Sequence, residues 1–186
     1  GRLGSAVWRA DAVLANPPSA DLAGRIRDRL LVDDPVTPDL DSILRERFHF
    51  PAFRPGQREA IEALFGQGRL ICIQPTGHGK SLLYQLPAAI LGGMTLVISP
   101  LLALMRDQIG QLQERFQIAA ATINSDQSDE ENQQVRQRAQ AGRLRILFVA
   151  PEQLDHLETY RFLAALPVDL LVVDEAHCIS TWGHDF

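Results

Sequence analysis

From Leu70 onward the chain alternates short apolar runs with helix-length segments, and this rhythm restricts its possible folds more than any other feature. The runs are residues 70–74 (L-I-C-I-Q), 95–99 (T-L-V-I-S), 118–123 (I-A-A-A-T-I), 145–149 (R-I-L-F-V) and 168–173 (V-D-L-L-V-V). Strand-length runs joined by helical crossovers build a parallel sheet, and strands covered by helices on both faces are continuously apolar rather than alternating. The expected fold is therefore α/β, doubly wound, with a mostly parallel sheet. The intervening segments carry helix signals. Met105, Ile109, Leu112 and Phe116 recur at helical spacing, and Ser128 with Glu131 forms a capping box that opens a largely polar helix able to stop near Gly142. Leu82, Leu83, Leu86 and Ile90 ask for a helix running through Pro87, which predicts a kink there at a cost of ~3 kcal/mol.

The first fifty residues are less informative. Ser19 caps a possible helix with Leu22, Ala23, Ile26 and Leu30 on one face, and Thr37 with Pro38 reads as a second helix start. Between them, D-D-P-V-T-P-D (33–39) suits a hinge. Residues 1–36 are read as a helical extension or the tail of a preceding domain, and residues 37–186 as one α/β lobe. The chain starts at Gly1 and stops at Phe186, soon after its last apolar run, so the lobe is expected to be an incomplete piece of a longer protein.

Composition narrows the classes. A net charge of −5 argues against a protein that coats polyanions indiscriminately, yet leaves room for a narrow nucleic-acid track. The arginines at 136, 138, 143 and 145 follow Asp126, Asp129, Glu130 and Glu131, so they suit a solvated helix face better than a basic patch. No apolar run reaches the ~18 to 20 residues of a membrane span, so no membrane partner is expected. Cys72 and Cys178 are far apart and lack the spacing of a zinc site or a disulfide framework, which fits a reducing, cytoplasmic setting.

The segment Q-P-T-G-H-G-K-S (74–81) follows the first apolar run and leads straight into a helix. A phosphate-binding loop needs this placement. Thr76, Gly77, His78 and Gly79 would form the cradle, the two glycines letting the backbone turn its N–H groups inward. Lys80 would reach the β- and γ-phosphates, the Ser81 hydroxyl would ligate Mg²⁺, and the helix N-terminus adds its dipole. The strict pattern G-x-x-x-x-G-K-[ST] fails at Gln74, where a glycine belongs. A second signal supports the first: the run Leu170–Val173 ends in D-E-A-H (174–177), and the carboxyl ends of strands are where open α/β sheets bind ligands. Asp174 is a candidate Mg²⁺ ligand, and Glu175 is a candidate for orienting or deprotonating the water that attacks a γ-phosphate.

Taken together, five blocks from about Leu40 to Phe186 resemble the first RecA-like lobe of a RecQ-family DNA helicase of superfamily two. They are F-H-F-P-A-F-R-P-G-Q (48–57), Q-P-T-G-H-G-K-S-L-L-Y-Q-L-P-A (74–88), I-S-P-L-L-A-L-M-R-D-Q (98–108), A-P-E-Q-L (150–154) and D-E-A-H-C-I-S-T-W-G-H-D-F (174–186). That superfamily writes its phosphate loop without the first glycine. The resemblance implies ATP and Mg²⁺ as cofactors, single-stranded or duplex-junction DNA as partner, 3′-to-5′ polarity, and a second RecA-like lobe that supplies an arginine to the γ-phosphate. It implies that residues 1–186 alone bind nucleotide weakly and neither hydrolyse it nor unwind DNA. In a bacterium the protein would be associated with the nucleoid.

The resemblance also assigns residues. Gln57 would hydrogen-bond the adenine edge, Phe50 would stack on the ring, and Arg54 would assist; Phe50 and Phe53 suit a core position equally well. Ser99, Pro100, Leu101, Pro151 and Glu152 would touch the phosphodiester backbone of a single strand. Trp182, His184 and Phe186 would belong to an aromatic-rich loop that couples DNA contact to ATP hydrolysis, and His177 would link the acids to the second lobe. Thr181 departs from the family's usual glutamine. Two other readings stay open at this level: an RNA helicase of the DEAH type, and a DNA-recruitment module with a degenerate ATP site.

Overall fold

A computed structural model describes residues 39–75 and 77–176 of the chain. Its elements in chain order are α1 (Leu40–Glu46), α2 (Gln57–Gln67), α3 (Leu82–Leu91), β1 (Met94–Ile98), α4 (Leu102–Glu114), β2 (Ala120–Ile123), α5 (Asp129–Gln140), β3 (Ile146–Val149), a 3₁₀ turn (Pro151–Asp155), α6 (Leu157–Ala164) and β4 (Val168–Val173). The four strands form one parallel sheet in the order β2-β3-β1-β4. The chain leaves β1 for the outer strand β2, returns to β3, and then crosses to β4 on the far side of β1. Strand order therefore reverses beside β1, the type of position at which α/β sheets open a ligand crevice.

Side-chain alternation sends the strands into two cores. Val97, Ile146 and Phe148 face a cluster built with α1–α4, including Leu44, Phe48, Ile61, Leu86, Met105 and Leu112. Met94, Leu96, Leu147 and Val149 face a second cluster completed by Val135 and Ala139 of α5 and Leu163 of α6. Both faces are covered, as the continuous apolar runs require. The doubly wound α/β expectation holds.

Local signals act where the sequence puts them. Ser128 Oγ accepts from the Glu131 N–H while the Glu131 carboxylate accepts from the Ser128 N–H, completing the capping box, and Gly142 follows α5 at φ +66°. Helix α1 is capped by Asp39, whose carboxylate accepts from the N–H groups of Asp41 and Ser42. The helix starts expected at Ser19 and Thr37 lie outside the described residues. Helix α3 continues through Pro87 to Leu91.

One expected strand is corrected. Residues 70–74 run without regular secondary structure and join no sheet among the described residues, with Ile71 91% and Ile73 94% exposed. Apolar periodicity reports the capacity to pair, but a strand also needs a neighbour to take its backbone N–H and C=O groups. Cys72 still packs against the first core, so the segment retains a strand-like in-and-out alternation.

Phe148 pairs with Val97 on one side and Thr122 on the other and is fully buried. Phe148→Ala is expected to destabilise the protein by about 3–5 kcal/mol, as buried aromatic truncations do. Urea denaturation followed by circular dichroism checks this.

Candidate functional site

The sheet register brings three strand tips together. Ile98 of β1 is in register with Val149 of β3 and with Val173 of β4, so Ser99, Ala150 and Asp174 leave the sheet side by side. The Ser99 N–H donates to Val149 O at 3.2 Å and the Asp174 N–H to Ile98 O at 2.9 Å, which extends the ladder into these turns. Helix α3 packs on β1 and β4, and its N-terminus carries the 77–81 loop to the same edge.

Neighbouring side chains hold the loop. Gly77 and Gly79 adopt φ +83° and +79°, the left-handed region that glycine enters without steric cost. At Gly79 there is a second demand for glycine, since a Cβ would fall 2.6 Å from Gln57 Nε2. Gln57 is buried at the start of α2; its Nε2 donates to Gly79 O at 3.0 Å, and its Oε1 accepts from the Arg54 N–H at 2.9 Å. Arg54 Nη1 donates to Gly77 O at 2.7 Å. Lys80 Nζ donates to Gln74 O at 3.0 Å and lies 4.0 Å from Glu175 Oε1. His78 is exposed, and Thr76 lies outside the described residues.

At the tip of β4, Glu175 takes φ +50°, uncommon for a residue with a side chain, and its N–H donates to Asp174 Oδ1 at 2.9 Å. Burial pushes the Asp174 carboxyl above the usual carboxylate range. The Glu175 N–H pulls it back, the Glu175 charge pushes it further up, and the Lys80 ammonium opposes that. The Tyr84 phenol on α3 is likewise pushed up, first by burial and then by the Asp174 charge, while Ser81 and Gln108 beside it act in the opposite sense.

Tyr84 thus lies one turn on from Ser81 and feels the charge of Asp174, and these two are the candidate ligands for Mg²⁺. The donor set fits that ion: a hydroxyl and a carboxylate are hard oxygen ligands, and Mg²⁺ is held by one or two carboxylates together with substrate phosphates and water. Two carboxylates face one ammonium here, a local excess of negative charge that a divalent cation offsets.

The other sequence-predicted residues divide. Ser99 and Pro151 are buried, and Leu101 and Glu152 are exposed, all at the shared edge, with Pro100 between. Phe50 is half-buried on the first core, its ring edge-on to Phe116 at 6.1 Å with Arg115 over it, the core placement left open by the sequence. Arg136 turns from the solvated face to donate to Thr159 Oγ1 at 2.8 Å, pinning α5 to α6. His177, Trp182, His184 and Phe186 lie outside the described residues. Sequence reasoning passed over Tyr84 and Gln108. The available signal was a glutamine three residues after Met105, on the helix face that Met105 and Leu112 mark as buried.

Two outcomes follow. Gln57→Ala removes a buried amide that bonds Gly79 O in the loop and the Arg54 N–H before α2, and is expected to cost about 1–3 kcal/mol, read by urea denaturation. For Asp174, the raised folded value means that above the unfolded carboxyl value of about 3.9 the native state holds a proton the unfolded chain has lost. Stability therefore falls as pH rises through the folded value. In nucleotide-free protein without divalent cation, Asp174→Asn is expected to remove that loss and to melt above wild type at pH 7, measured by thermal denaturation across pH.

Comparison with known proteins agrees with this geometry. The chain matches the DEAD/DEAH box helicase family over residues 54–186. It is 46% identical over 146 residues to the ATP-dependent DNA helicase RecQ of Haemophilus influenzae, covering 78% of this chain and 23% of that protein. It is 44% identical over 147 residues to the probable ATP-dependent DNA helicase RecS of Bacillus subtilis (79% and 29%), and 42% identical over 149 residues to the ATP-dependent DNA helicase Q-like 5 of Arabidopsis thaliana (80% and 16%). The chain thus spans under a third of the length of these relatives. With a parallel α/β sheet, a glycine-bearing loop at a helix N-terminus and paired acids on the adjacent strand tip, the chain belongs to the DEAD/DEAH box helicase family, as an N-terminal lobe of RecQ type.

Proposed function

We propose that this lobe binds Mg-ATP and single-stranded DNA and, in the full-length protein, couples ATP hydrolysis to 3′-to-5′ translocation and separation of duplex at junctions. The observation that carries the reading is the approach of Lys80 to Glu175 at 4.0 Å, beside Asp174, at the edge where α3 begins. Similarity to proteins named as ATP-dependent DNA helicases supports DNA as the track.

The chemistry follows from groups on this chain. Lys80 exchanges the Gln74 carbonyl for oxygens of the β- and γ-phosphates, and the N–H groups of the 77–81 loop complete the cradle. Mg²⁺ held by Ser81 and Asp174 supplies neutralisation of phosphate charge. Glu175 accepts a proton from the water whose oxygen bonds to the γ-phosphorus, while the bond from that phosphorus to the bridging oxygen breaks and ADP departs with the electron pair. Gln57 and Arg54 take the adenine edge, and the half-buried Phe50 stacks on it only by giving up the cover of Arg115 over its ring; because the Gln57 amide is spent on Gly79 O and the Arg54 N–H, contact with the base exchanges one of these bonds.

In the turns at Ser99–Leu101 and Pro151–Glu152, the Leu101 and Glu152 N–H groups are the backbone donors for a phosphodiester chain, since the Ser99 N–H is held by Val149 O and prolines have none; such contact carries no base readout. His177, Trp182, His184 and Phe186 couple that contact to hydrolysis. An arginine from a second lobe is worth about 10³–10⁵ in rate, so the 186-residue chain by itself is expected to bind nucleotide weakly and to turn none over.

In the full-length protein, Glu175→Gln is expected to lower ATP turnover stimulated by single-stranded DNA by about 10²–10⁴ with nucleotide binding retained. Unwinding of a tailed duplex is expected to be lost. Unwinding that survives the substitution overturns the enzyme reading in favour of a recruitment module, and stronger stimulation by RNA than by DNA favours an RNA helicase.

A further inference from the structure

Gln108 lies in the second turn of α4, 7% exposed, on the same face as Met105 and Leu112. An amide in such a place costs free energy unless both of its ends are bonded. Both are. Nε2 donates to Ser81 Oγ at 3.4 Å, and Oε1 accepts from the Tyr84 hydroxyl. Tyr84 is itself 5% exposed, with its ring edge-on to Phe148 at the centre of the sheet, so the acceptor end of the amide is tied to a rigid partner. With Oε1 committed to Tyr84, the N–H end is directed at Ser81.

A serine oxygen has two lone pairs and one proton. An N–H held against one lone pair fixes the rotamer and leaves the other lone pair for a cation. We propose that Gln108 is a positioning residue for the divalent cation that accompanies the nucleotide: oriented by Tyr84, its amide holds the Ser81 hydroxyl in the ligating rotamer. This rests on the nucleotide reading above. Groups that orient a metal ligand without touching the metal are commonly worth 10- to 100-fold in metal affinity, and the length of the Gln108–Ser81 bond puts the expected effect near the lower bound. The same bond joins α3 to α4, the helix that the Ser99–Leu101 turn opens.

The test is titration of full-length protein with a fluorescent ADP, once with Mg²⁺ and once with EDTA. Gln108→Leu is expected to reduce the affinity gained from Mg²⁺ by about tenfold, with the EDTA value unchanged. Tyr84→Phe keeps the ring packing, removes only the hydroxyl, and is expected to show a smaller loss in the same sense; it decides the matter if Gln108→Leu fails to fold. Parallel loss with and without Mg²⁺ in the folded variants would mean a merely structural role and overturns the inference. An unchanged Mg²⁺ gain overturns it too, with the nucleotide reading intact. A wild type that binds no nucleotide in either condition overturns that reading and this inference together.

Discussion

The site depends on the common polarity of four strands. Because β2, β3, β1 and β4 are parallel and their ends are in register, every turn that follows a strand emerges on one edge. A lysine and an acid separated by most of the lobe's sequence then approach to 4.0 Å without any contact between their own segments having to be strong. An antiparallel partner at β4 would send Asp174 and Glu175 to the opposite end of the sheet.

The loop at that edge is held by hydrogen bonds that a ligand can replace. Lys80 rests on the Gln74 carbonyl, Gln57 on Gly79 and Arg54 on Gly77. Each donor is of the kind that phosphate or base acceptors bind more strongly, the charged ones most of all. These bonds already restrict the loop, and a loop with less freedom to lose orders at a lower cost. The left-handed backbone at Glu175 and the raised carboxyl of Asp174 are the corresponding costs on the acidic side.

Much of this was legible in the sequence because the signals were local. Residues 168–173 are strand β4 as expected, and the Ser128–Glu131 box caps α5 through the two bonds its spacing implies. The glycine-bearing loop lies at a helix N-terminus, as its placement after an apolar run predicted. What escaped depended on neighbours. Residues 70–74 have the composition of a strand but no ladder among the described residues, since pairing is a property of two segments. The grip of Arg54 and Gln57 on the loop joins residues 22 or more apart, with nothing in either segment to announce it. Phe50 suited both a base platform and the core, and packing on Phe116 is the contact it makes. Gln108 was visible only as a polar residue on an apolar face.

The central claim is that one lysine and two acids surround a single triphosphate. A crystal structure of the full-length protein with a non-hydrolysable ATP analogue and Mg²⁺ tests it most directly. The account predicts Lys80 Nζ on the terminal phosphates, Asp174 on the metal side and Glu175 facing the γ-phosphorus from the water side. A nucleotide bound with Asp174 and Glu175 turned to a different cleft would contradict it.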